Sequence, residues 1–251
     1  MRSMSGELPP GPAKTRVRTG ASGPSVASVL ASFNTWAFKR EQPSSITLMK
    51  TRISDAMLVG SPVPFVLYWG KGPRHGIDRP DIVCLTFLAS LARRIEAVYA
   101  PGAELRLIFT DTHAELNGHA RCDYEAYFGE IERHARDAGF RATHLSAIVR
   151  SMHPTGSIRE PALDRADVDR LVRAAERWYL GAGSPVAAAE RYLRANLIEQ
   201  VAVEKAFPDA IFATFSGSDL DFLFPPRMPR FYMYSLRKGC SVKPWFIGAG
   251  G

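Results

Sequence analysis

Apolar runs of strand length alternate with stretches of helical period through the middle of this chain, and that order narrows the fold to a few possibilities. Residues 63–69 (VPFVLYW) form a continuous apolar run closed by Gly70-Lys71-Gly72-Pro73. Residues 81–99 place Ile82, Leu85, Leu88, Leu91 and Ile95 at helical spacing, with a basic face at Arg93 and Arg94, and stop at Pro101-Gly102. Residues 104–109 alternate and then turn wholly apolar, as a strand buried on both faces does. Further on, 124–138 reads as an amphipathic helix, 142–149 as a strand, 164–180 and 185–207 as helices, and 210–215 (AIFATF) as a strand. Such β-α-β-α-β-α alternation predicts an α/β chain, with a Rossmann-like parallel sheet flanked by helices. Two short helices, from Val26 and over 46–58, are expected before the sheet. Residues 231–236 with 242–247 are expected to add a C-terminal strand pair. No internal repeat is visible.

A chain of 251 residues is long enough to bury a full core in one α/β domain, which we place over 26–251 as a single catalytic domain. Residues 1–25 are rich in Gly, Pro, Ser and Arg with few large apolar side chains, and are expected to be a disordered basic tail. Their shortage of acids is also compatible with a transit peptide. The net charge of +7 points towards nucleic acid only until it is located. Residues 1–20 carry +3 and residues 220–251 carry +4, while the stretch between them is neutral. Solvated basic ends are therefore the first reading, and an RNA surface the second. No apolar run approaches the roughly 18 residues that a membrane helix needs, so no membrane is expected. Cys84, Cys122 and Cys240 are odd in number and lack paired spacing, which fits reduced thiols in the cytoplasm.

Polar side chains crowd the segment after the second strand. Asp111, His113, Glu115, Asn117 and His119 follow directly on Phe109, and open α/β sheets bind ligands beyond the carboxyl ends of their strands. Asp111 is assigned to bind an amino group or to orient His113. His113 is the natural acid or base, since its side chain titrates near neutral pH. Asn117 is a candidate substrate contact, although Asn117-Gly118 also reads as a turn. The spacing of Asp111, His113 and His119 is not that of a metal site, and neither a metal nor an organic cofactor is expected. Lys71 and Arg74, in the glycine-containing loop after the first strand, are suited to hold a phosphate or carboxylate. A sheltered Lys71 would also serve as a Schiff-base lysine. The run Thr214-Phe215-Ser216-Gly217-Ser218-Asp219 follows another strand, so Ser216 and Asp219 either contact substrate as a third wall or form a plain turn.

With these residues in view, the stretch 60–215 resembles the pyoverdine/dityrosine biosynthesis family, whose bacterial members include isonitrile synthases. The resemblance lies in PVPFVLYWGKGP, in LARRIEAVYAPGAELRLIFTD, in DYEAYF and in EKAFPDAIFATF. It implies a Rossmann-like enzyme that joins the amino nitrogen of an amino acid to a carbon drawn from a sugar phosphate, ribulose 5-phosphate. Carried over, Lys71 would meet the sugar phosphate and Asp111 the amino acid. The chain departs from the family in its TFSGSD strand end, in its SVKPWF terminus and in being shorter. Two other readings stand beside this one. A tRNA-dependent cyclodipeptide synthase would use aminoacyl-tRNA as its partner and a helix tyrosine and glutamate, here Tyr192 and Glu199, but its nucleophilic serine is missing from the first loop. A pseudoenzyme would only bind an amino acid or a partner.

Overall fold

The computed structural model describes residues 23–70, 76–116, 119–153, 160–175 and 183–233. Five strands, β1 (Val63–Trp69), β2 (Ala103–Phe109), β3 (Arg141–His144), β4 (Ile211–Thr214) and β5 (Arg230–Tyr232), form one sheet in the order β3-β2-β1-β4-β5. Every pairing is parallel. The helices are α1 (Val26–Phe33), α2 (Ile46–Leu58), α3 (Arg79–Glu96), α4 (Asp111–Leu116), α5 (Arg121–Asp137), α6 (Leu145–Met152), α7 (Arg165–Ala175) and α8 (Pro185–Ala206), followed by a 3₁₀ segment, Ser218–Leu223. This is the Rossmann-like α/β arrangement that the alternating pattern predicts.

Side chains on a strand point to opposite faces in turn, and here each face feeds a separate core. Val63, Phe65, Leu67 and Trp69 of β1, Leu105, Leu107 and Phe109 of β2, and Ile211 and Ala213 of β4 pack with α1, α2, α3 and α5. Val66, Ile108 and Phe212 pack on the other side with α6, α7 and α8. With both faces covered, β1, β4 and the end of β2 are largely apolar, as burial on two sides requires. In the first core Phe33 meets Phe65 and Phe231 edge-on, with ring centroids 5.4 and 5.2 Å apart, an arrangement that suits the ring quadrupoles.

Local chemistry fixes the element ends. Asp78 and Asp81 form a reciprocal capping box at the start of α3, which satisfies donors the helix cannot satisfy itself. At the end of α5, Gly139 takes φ +80°. The Phe140 and Gly139 amides donate to the carbonyls of Ala135 and Arg136, closing the helix as a Schellman motif.

One expectation changes. Residues 142–149 are not one strand: β3 ends at His144 and α6 begins at Leu145. The first turn of α6 needs an acceptor for its free N–H groups, and Asp111 supplies it from across the sheet. Its Oδ1 accepts from the Ser146 amide at 3.0 Å and its Oδ2 from the Ser146 hydroxyl at 2.5 Å. Of the expected C-terminal strand pair, only the first member falls within the described residues. β5 lies parallel to β4, and Met233 bridges to Lys39; the expected partner, 242–247, lies outside the described residues, as do Tyr234, Cys240, Tyr179 and residues 1–22. Cys84 is buried in α3. Among the described residues no helix is long and apolar enough to cross a membrane.

Two predictions follow from this packing. Phe65→Ala should cost about 3–5 kcal/mol in urea unfolding, whereas Leu58→Ser, at a position 82 % exposed, should stay within about 0.5 kcal/mol of the parent. The second concerns Asp111, whose Oδ2 also lies 3.3 Å from His144 Nδ1. Burial alone would raise the Asp111 pKa, but hydrogen bonds from His144 and Ser146 outweigh it and lower the carboxyl from 3.8 to about 2. The hydrogen bond to Asp111 raises His144 above 6.5 against the effect of its burial. The Asp111 contribution is therefore complete above the usual carboxylate range and lost as pH falls towards 2, whereas the His144 contribution is complete below 6.5 and lost as pH rises through the raised value. The stability gap between the parent and Asp111→Asn should reach about 2 kcal/mol near pH 5–6 and narrow on both sides, as measured by urea unfolding across pH.

Candidate functional site

The strand order reverses between β1 and β4, because β2 and β3 extend the sheet on one side of β1 and β4 returns on the other. Crevices form at such a switch point, outside the carboxyl ends of the strands. A cavity of about 70 Å³ opens there. Its floor is a continuation of strand parity: Tyr68, Thr110 and Thr214 are the next residues after Val66, Ile108 and Phe212 on the same face of their strands. One wall is α8, which contributes Tyr192 and Asn196. The roof is the 3₁₀ segment with Leu220, Leu223 and Phe224.

His113, on the first turns of α4, enters this cavity. Its Nε2 lies 2.5 Å from Glu199 Oε2, and Thr112 Oγ1 donates to the other Glu199 oxygen at 2.5 Å. Glu199 is 2 % exposed, so the carboxylate depends on these two donors. As the carboxylate can only accept, Nε2 is the nitrogen that carries hydrogen towards it, and in the neutral ring the lone pair is then on Nδ1. Nδ1 has no partner among the described residues. The His113 ring packs on Tyr192 at 4.7 Å between centroids. Tyr192, Asn196 and Glu199 fall four and three residues apart and so share one face of α8.

Asn196 and Gln200 fasten the roof. Asn196 Nδ2 donates to the Leu223 carbonyl at 3.1 Å, and Gln200 Nε2 donates to Asn196 Oδ1 at 2.7 Å and to the Phe222 carbonyl at 2.9 Å. Burial, with Glu199 adding to it, raises the phenols of Tyr68 and Tyr192 above their ordinary value. Both hydroxyls keep their protons at neutral pH. A second cavity of about 410 Å³ lies across Glu199 and is lined by Thr112, Glu115, Val149 and Ile198 among others. Tyr124 donates to Glu115 there at 2.6 Å, and this bond drives the Tyr124 phenol up to about 12.

Of the residues singled out from the sequence, His113, Tyr192, Glu199 and Ser216 converge on this region. Asp111 lines neither cavity, because both of its oxygens are engaged at the start of α6. Asp219 is exposed on the 3₁₀ segment. Glu115 lies in α4 and lines the second cavity. Lys71, Arg74 and Asn117 lie outside the described residues. Tyr68, Thr110, Thr112, Asn196 and Thr214 were not anticipated. Among the described residues no group of three or more His, Cys, Asp or Glu side chains is placed to hold a metal ion.

No protein-family model matches the chain, and no curated protein matches it in sequence. Solved structures do share its fold. The PvcA protein from Pseudomonas aeruginosa superposes with a TM-score of 0.64 at 19% identity, over 88% of this chain and 87% of that one. The tyrosyl-tRNA synthetase from Archaeoglobus fulgidus, solved with L-tyrosine, superposes with a TM-score of 0.51 at 12% identity, over 83% of this chain and 64% of that one. At such identities the likeness is one of fold: the chain has the Rossmann-like α/β architecture these proteins share.

Proposed function

We propose that the switch-point cavity binds an amino acid and that the chain is a synthase acting at the amino nitrogen, in the manner of the isonitrile synthases it resembles. The observation that carries this reading is the His113 and Glu199 pair at the cavity wall. With Nε2 tied to the carboxylate, His113 Nδ1 accepts a proton from the ammonium group of the ligand. Glu199 offsets the charge that then forms on the ring, as the orienting carboxylate does in other His-carboxylate pairs. The freed amine lone pair adds to the carbonyl carbon of a second substrate, for which the family resemblance suggests ribulose 5-phosphate. Lys71 and Arg74 hold its phosphate in this reading. Asp111 acts as a positioning residue, holding α6 against the end of β2.

The fold likeness to PvcA supports the family resemblance at the level of architecture. A tyrosyl-tRNA synthetase of like fold holding L-tyrosine supports an amino acid as ligand. One observation favours the cyclodipeptide reading as the alternative: Tyr192 and Glu199 present one face of α8 to His113, the pair such an enzyme would use on aminoacyl-tRNA.

Incubating the protein with amino acids and ribulose 5-phosphate should yield an isonitrile by mass spectrometry. His113→Ala should lower turnover by about 10²–10⁴-fold with the fold intact, and Glu199→Gln should lower it too, since an amide holds the ring but does not balance its charge. A product formed only when aminoacyl-tRNA is supplied would transfer the assignment to a cyclodipeptide synthase. Amino-acid binding without any product would leave a binding protein, and unchanged turnover in His113→Ala would remove the pair from the mechanism.

A further inference from the structure

The Tyr68 hydroxyl is buried and has no hydrogen-bond partner among the described residues. Leaving such a group unpaired is costly, and native proteins seldom do so without reason. Tyr68 is the penultimate residue of the central strand β1 and forms part of the cavity floor. Its ring is held edge-on by Phe212, with centroids 5.0 Å apart at 76°, so the hydroxyl is fixed in place by packing on the sheet. Three polar groups around the cavity are committed elsewhere. Glu199 accepts from Thr112 and His113, Asn196 Oδ1 accepts from Gln200, and Thr214 Oγ1 accepts from the Ser216 amide at 3.0 Å. The phenol keeps its proton in these surroundings, which makes it a donor aimed at an acceptor the fold does not provide.

We propose that Tyr68 is the residue that recognises the ligand's carboxyl end, donating its hydroxyl hydrogen to the carbonyl or carboxylate oxygen of an amino acid whose nitrogen lies at His113. The inference rests on the amino-acid reading above and specifies how that ligand is held. The remainder of the ligand meets the apolar roof of Leu220, Leu223 and Phe224. Two sources carry the required oxygen, a free amino acid with its carboxylate and an aminoacyl ester with its carbonyl. A decarboxylated amine carries neither.

Tyr68→Phe removes the hydroxyl alone and leaves the ring against Phe212, so it separates recognition from folding. Thermal unfolding of the parent would be measured with each proteinogenic L-amino acid. The compound giving the largest rise in Tm would then be compared with its methyl ester and its decarboxylated amine. The acid or the ester should stabilise the parent and the amine should not; the free acid as the better ligand points to direct use of amino acids, the ester to an aminoacyl donor. Without ligand, Tyr68→Phe should unfold at or above the parent Tm, because an unpaired buried hydroxyl has been deleted. Its Kd for the preferred compound should rise at least about tenfold. Parent-like affinity in Tyr68→Phe, or equal stabilisation by the amine, would overturn the proposal. A Tm several degrees below the parent would overturn it as well, by showing that the hydroxyl serves the fold. If no amino acid or ester shifts the parent Tm, the amino-acid reading fails, whereas a Tyr68→Phe Tm at or above the parent still marks the hydroxyl as held for some other acceptor-bearing ligand.

Discussion

Covering a sheet on both faces is the constraint from which the rest of this molecule follows. A strand buried on one side can point polar residues to solvent, whereas here each alternate side chain enters one of two helical layers. The odd-numbered positions of β1, β2 and β4 meet α1, α2, α3 and α5, and Val66, Tyr68, Ile108 and Phe212 meet the layer that contains α8. The same alternation runs on to the carboxyl ends of the strands. There the α8 side stops being filled by aliphatic groups and receives Tyr68, Thr110 and Thr214. The cavity is thus a place where the second core is left polar and incompletely packed.

The polar groups near it divide between holding the structure and facing the space. Asp111 closes the first turn of α6, and Asn196 and Gln200 hold the 3₁₀ segment against α8. Glu199 belongs to both classes, since it fixes Thr112 and His113 to α8 and also orients the His113 imidazole that lines the cavity. Buried carboxylates persist only when fully hydrogen-bonded, so the arrangement that orients His113 is the same one that makes burial of Glu199 tolerable.

Much of the architecture was legible from periodicity, because strands covered on both faces read as continuous apolar runs. VPFVLYW and ELRLIF mark β1 and β2 almost to the residue. The stretch after Arg141 was harder, since a short apolar run carries no sign of whether it continues as strand or helix. What decides it is Asp111, thirty-five positions earlier in sequence and brought near only by β2 and β3 pairing. The return of β4 beside β1 is likewise a tertiary fact. At the site, His113 was visible through its chemistry, and Tyr192 and Glu199 through a resemblance. Tyr68, Thr110 and Thr214 looked like ordinary strand and turn residues. Following the two-residue period to the ends of β1 and β4, and one residue past β2, would have put all three on one face, but only once the sheet order was known. Asp111 shows the opposite case, in that a carboxylate placed just after a strand has a structural use as immediate as any chemical one.

The roof over the cavity comes from a different part of the chain than the floor and the α8 wall. Leu220, Leu223 and Phe224 sit on the excursion between β4 and β5, tied to α8 through the backbone carbonyls of Phe222 and Leu223. Backbone carbonyls are present whatever side chains the segment carries. Residues there can be exchanged without loosening the tie to Asn196 and Gln200, and without disturbing His113 or Glu199. On the proposed reading, the geometry separates the part of the molecule that would set which side chain fits from the part that would handle protons, so a change of side chain in the roof would alter ligand preference and leave the His113 and Glu199 pair in place.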